Sequence, residues 1–130
     1  SAQPVFFKNR AMAYVLNKQA GLAIEDLAVA LSKDPEDGET WFVRGQIFLQ
    51  QQNTESALED FKKAVSCRRP FVSAVQDLCD VYFSQGNYAR ALPYLNDAIN
   101  RCPEDPHYIY LRAIASMNTG EYDKAVLTTR

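Results

Sequence analysis

Alanine returns along the chain at Ala23, Ala57, Ala91 and Ala125, each 34 residues after the one before. A large apolar residue follows four positions later (Leu27, Phe61, Leu95) and a second alanine seven later (Ala30, Ala64, Ala98). Twelve residues ahead of each alanine stands a small residue: Ala11, Gly45, Cys79 and Ala113. Large apolar residues precede that small position by four (Phe7, Trp41, Val75, Ile109), and Tyr14, Phe48, Tyr82 and Ser116 follow it by three. Spacings of three, four and seven put such residues on one face of a helix. Each block therefore predicts two helices, with small residues admitting a close backbone approach and large ones filling the gaps between turns. First helices are expected near 4–17, 38–51, 71–85 and 105–119, and second helices near 20–33, 54–67 and 88–101, with a last one begun at 122.

Local punctuation agrees with this division. Asp34-Pro35 and Cys102-Pro103 stop helices, because the residue before proline is pushed out of the α region. Asp105-Pro106 reads as an N-cap followed by proline at the first helical position. Gly86-Asn87 and Thr119-Gly120 mark tight turns. Gly45 would cost about 1 kcal/mol against alanine inside a helix, so close packing explains its presence. Pro93 is harmless only if its helix starts late; a start at Tyr88 predicts a bend.

Large-x-x-x-small-x-x-aromatic on the first helix and Ala-x-x-x-large-x-x-Ala on the second resemble the tetratricopeptide repeat family. The resemblance implies an all-α fold, a right-handed superhelical solenoid of antiparallel helix pairs, with repeats near 4–37, 38–71, 72–105 and a truncated fourth at 106–130. There are departures. The family's leucine before the small residue is Arg10, Arg44 and Arg112, with only Leu78 conforming. The proline that ends the repeat is Pro35 and Pro103, but the second repeat has Arg69 there and Pro70 one step later. Ser116 and Thr129 replace large residues in the fourth repeat, which should be the loosest.

Charge and composition add mostly exclusions. The net charge is −2, and neither half of the chain is strongly basic, so nucleic acid and anionic membrane have no electrostatic footprint. Arg68-Arg69 reads as a solvated helix end. No apolar run is long enough to span a bilayer and no secretory signal is seen. Cys67, Cys79 and Cys102 are widely spaced and the single histidine, His107, has no ligand-like neighbour, so neither metal nor disulfide is expected. A reducing compartment, cytoplasm or nucleus, is the default. No catalytic triad, phosphate loop or zinc helix is present, so the expectation is no enzyme and no cofactor. Glu25-Asp26 and Glu59-Asp60 read as solvated faces of second helices. The apolar ends, Val5, Phe6 and Phe7 at one and Val126 and Leu127 at the other, suggest a piece of a longer array or a dimer burying those faces.

The resemblance further implies that first helices line a concave groove in which peptides lie. By position, the lining is Val5, Lys8, Asn9, Met12 and Val15; Glu39, Phe42, Val43, Gln46 and Leu49; Ser73, Gln76, Asp77, Asp80 and Phe83; and His107, Tyr110, Leu111, Ile114 and Met117. Phe42, Leu49, Phe83, Tyr110, Ile114 and Met117 are large apolar residues that the core pattern does not require, and Asp77 and Asp80 place negative charge in the middle. The expected occupant is a mainly apolar peptide or helix with a lysine or arginine facing the aspartates. The carboxylate clamp of heat-shock co-chaperones does not fit. Lys8 matches one clamp lysine, but Met12 and Val43 replace asparagines, and Ser73 and Asp77 stand where cations are needed. The functional expectation is an adaptor or scaffold module binding a protein partner. The alternatives are a structural spacer or self-associating module acting through its ends, and a regulatory segment of a larger enzyme.

Overall fold

A computed structural model of the chain describes residues 9–13 and 19–120. Residues 9–13 are helical (α1). They are followed by α2 (Ala20–Lys33), α3 (Gly38–Gln50), α4 (Thr54–Ser66), α5 (Ala74–Ser84), α6 (Tyr88–Arg101) and α7 (Pro106–Thr119). The chain falls into two compact units, residues 1–74 and 75–130. Ala23, Ala57, Ala91, Leu27, Phe61 and Leu95 are all fully buried, and Ala30, Ala64 and Ala98 nearly so, so the 34-residue phase is the phase of the core.

In the first unit, Ala11, Ala23, Leu27 and Ile47 form one cluster, with Ala20, Ile24 and Val43 packed on its edge. α3 and α4 pack closely. A Cβ built on Gly45 would stand 2.7 Å from Phe61 Cε1 and 3.2 Å from Asp60 Cβ, so the second helix reaches the backbone of the first. The α3–α4 turn is a Schellman motif. Asn53 N–H donates to Phe48 O at 2.8 Å and Gln52 N–H to Leu49 O at 3.0 Å, with Gln52 left-handed at φ 63°. Asn53 then caps α4, accepting from Ser56 N–H at 3.4 Å.

Asp26 and Asp60, expected on solvated faces, are instead 5% and 2% exposed. Arg10 Nε and Nη2 donate to Asp26 at 2.6 and 2.8 Å, and Arg44 makes the same fork on Asp60 at 2.8 and 2.9 Å. Two of the three arginines that replace the family leucine, Arg10 and Arg44, are therefore half of a repeated ion pair linking the first helix to the second. The Arg10 guanidinium holds the Asp26 carboxyl below its usual range. At Asp60 burial outweighs Arg44 and pushes the carboxyl up. Arg44 also lies over the Trp41 and Phe48 rings, 5.2 and 5.6 Å from their centroids.

The turns at 34–38 and 67–71 are stitched together. Gly38 N–H donates to Arg69 O at 2.9 Å, Arg69 N–H to Glu36 O at 3.1 Å, and Phe71 N–H to Ala64 O at 2.7 Å. Arg68 N–H reaches the Glu36 carboxylate at 2.6 Å, and the Arg69 guanidinium pairs with Asp34. Arg69 is thus exposed but engaged, a correction to the solvated basic pair. Its N–H is a donor that a proline would lack, which explains the displaced proline. The stitching also delays α5, which begins at Ala74 instead of 71.

In the second unit, Leu78, Cys79, Val75, Ala91 and Leu95 are buried. Here Leu78 takes the arginine position and Tyr94 the aspartate position, with Tyr82 and Tyr94 rings 6.5 Å apart. Burial pushes the Cys79 thiol up to about 12, with the Asp80 charge adding to it. α6 does start at Tyr88, so Pro93 is its sixth residue and the Ala89 carbonyl loses its intrahelical donor. Asp105 caps α7, accepting from His107 N–H at 2.9 Å, with Pro106 first in the helix. Ile109 and Ala113, expected in the packing pattern, are exposed. Gly45 is covered by its own repeat's second helix, whereas the matching helix after α7 was expected from 122, outside the described residues.

Candidate functional site

The residues expected to line a groove sit on first helices, where the core pattern claims one face of the helix. In the first unit, Asn9 is exposed and Met12 is 49% exposed on α1; Lys8, Val5 and Val15 lie outside the described residues. On α3, Glu39 and Gln46 are exposed while Phe42, Val43 and Leu49 are half-buried. Phe42 is not a free groove side chain. Its ring centroid is 4.7 Å from that of Phe71 and 6.1 Å from that of Phe61, so it covers the α3–α4 pair.

In the second unit, Asp80 is exposed and Gln76, Asp77 and Phe83 are half-buried on α5. Phe83 leans on Tyr88, with centroids 5.0 Å apart. On α7, Tyr110 and Met117 are 63% and 66% exposed and Ile114 is half-buried. Leu111 departs from the expected lining and is core, at 5% exposure. A side-chain chain joins the two helices. His107 Nε2 hydrogen-bonds the Gln76 amide oxygen. Gln76 Nε2 in turn donates to Asp80 Oδ1 at 2.9 Å. The structure therefore brings Gln76, Asp80 and His107 together between α5 and α7; Asp77 on α5 and Tyr110, Ile114 and Met117 on α7 stand at positions expected to line a groove.

Sequence reasoning missed the Arg–Asp pairs, although a 16-residue offset between Arg10 and Asp26 recurs between Arg44 and Asp60. It also took Trp41 as apolar filling, whereas its indole N–H donates to Pro35 O at 2.8 Å. Among the described residues no group of three His, Cys, Asp or Glu side chains could hold a metal ion, and no helix is long and apolar enough to cross a membrane.

Comparison with known proteins agrees with the fold. The crystal structure of MamA superposes with a TM-score of 0.73 at 20% identity, over 95% of this chain and 72% of that one. The first TPR of Spaghetti (RPAP3), bound to the HSP90 peptide SRMEEVD, gives 0.71 at 14% identity over 91% and 96%. A tetratricopeptide repeat protein from Parabacteroides merdae gives 0.60 at 26% identity over 96% and 49%. Tetratricopeptide repeat family models match residues 9–70 and 48–115. The fold is the all-α tetratricopeptide solenoid, and the chain belongs to the tetratricopeptide repeat family.

Proposed function

We propose that this chain, a protein-interaction module by its fold, acts as a non-catalytic adaptor or scaffold that binds a peptide or helical segment on the lining faces of its first helices. The observation that supports this reading is the exposure of Tyr110 and Met117 on α7 beside half-buried Ile114. Large apolar side chains grouped this way on a helix face mark interaction surfaces. The neighbour that holds SRMEEVD takes an acidic peptide. Asp77 and Asp80 would repel such a ligand here, which supports a partner outside the carboxylate-clamp class.

Because Phe42 packs against two other phenylalanines, the test belongs on α7. The double variant Tyr110→Glu/Met117→Glu should keep its circular dichroism and melting temperature but lose protein partners that the parent chain captures. Capture of the same partners by both proteins would move the function away from this face, to the repeat ends.

A further inference from the structure

α5 carries neither lysine nor arginine, and the only such residue on α7, Arg112, turns to Asn96 on α6, donating from Nη1 at 3.1 Å. Among the described residues, α5 and α7 therefore offer Asp77 and Asp80 no lysine or arginine. Among the described residues neither Asp77 nor Asp80 forms an ion pair. The buried Asp26 and Asp60 behave differently, since each is gripped by an arginine fork. Asp77 is half-buried, and burial together with the Asp80 charge pushes its carboxyl above the ordinary range. A carboxylate held partly out of water beside a like charge is stabilised by an arriving cation. The surroundings are orientated for one. Gln76, itself held by His107, fixes one oxygen of Asp80.

Resting on the peptide-binding reading above, we propose that the α5–α7 face takes a partner segment carrying an arginine or lysine against Asp77 and Asp80, flanked by a large apolar side chain against Tyr110, Ile114 and Met117. Two carboxylates match a guanidinium or ammonium, and a phenol ring beside a thioether matches an aromatic or aliphatic side chain. Charge complementarity commits the site to a basic-apolar segment of another protein.

The test is selection of a phage-displayed library of random linear peptides on the chain, on Asp77→Asn/Asp80→Asn and on Tyr110→Glu/Met117→Glu, each first shown to be folded. The expected result is enrichment of peptides with Arg or Lys beside a large apolar residue. Their affinity should fall about tenfold on the asparagine variant, the scale of two lost partly screened ion pairs, and should weaken as salt is raised. Enriched peptides that lack a basic residue, yet depend on Tyr110 and Met117, would overturn this proposal and leave the peptide-binding reading standing. Peptides indifferent to both variants, or no enrichment at all, would overturn the two together. Sedimentation of the chain alone covers the remaining occupant: self-association abolished by Asp77→Asn/Asp80→Asn would make that occupant a second copy and overturn the proposal.

Discussion

Three residues adopt positive φ among those described, Gln52 at 63°, Gly86 at 74° and Gly120 at 81°, and they stand at successive 34-residue steps. The repeat is thus a repeat of backbone conformation as well as of side-chain size. Glycine meets that conformation without steric cost, whereas an L-residue with a Cβ is penalised by about 1–2 kcal/mol. Gln52→Gly should therefore stabilise the chain. Part of the gain is offset by the greater freedom of glycine when unfolded, leaving roughly 0.5–1 kcal/mol. The urea midpoint should rise with an unchanged slope; a lower midpoint would mean that the Gln52 side chain contributes something its exposed position does not show. The glycine turns were readable in the sequence because glycine advertises its φ. The glutamine was not, since nothing in its chemistry calls for a left-handed residue.

At the scale of helix pairs, the chain holds its own comparison between a charged and an apolar bridge. Arg44 and Asp60 join α3 to α4, while Leu78 and Tyr94 occupy the same positions on α5 and α6. Removing one partner of a buried pair leaves an uncompensated charge, costing about 3–5 kcal/mol, whereas exchanging both for apolar residues is often neutral. Arg44→Leu should lower stability by that amount, and Arg44→Leu/Asp60→Tyr should recover most of it in a double-mutant cycle. Additive losses would show that the second helix pair cannot accept the packing of the third. Both partners were visible in the sequence, but each was read alone. Arginine looked like a family departure and aspartate like a solvated charge, and only their shared 16-residue offset made them a unit.

Across the whole molecule, helix positions were legible because each described helix packs on a neighbour in sequence, so local periodicity already contains the tertiary contact. α2, α3, α4, α6 and α7 lie within a residue of expectation. The lining was less legible, because no core contact fixes which open-face residue stays open: Leu111 sank into the core and Phe42 was taken up by Phe61 and Phe71. Gly38 shows the same limit. Helix propensity favours alanine there by about 1 kcal/mol, but its Cβ would meet Phe71 N at 2.5 Å, Ala64 O at 2.6 Å and Arg69 O at 2.8 Å. Backbone atoms cannot swing aside, so overpacking of about 1–3 kcal/mol should win. Gly38→Ala should melt earlier than the parent chain, and an equal or higher melting temperature would contradict the close approach. The same stitching bears on how such a chain can be recombined. Asp34 and Glu36 complete a structure whose other half, Arg68 and Arg69, comes one period later. A second repeat copied into another protein without its upstream turn would arrive with donors and no acceptors. At this joint the unit of inheritance is longer than the unit of periodicity.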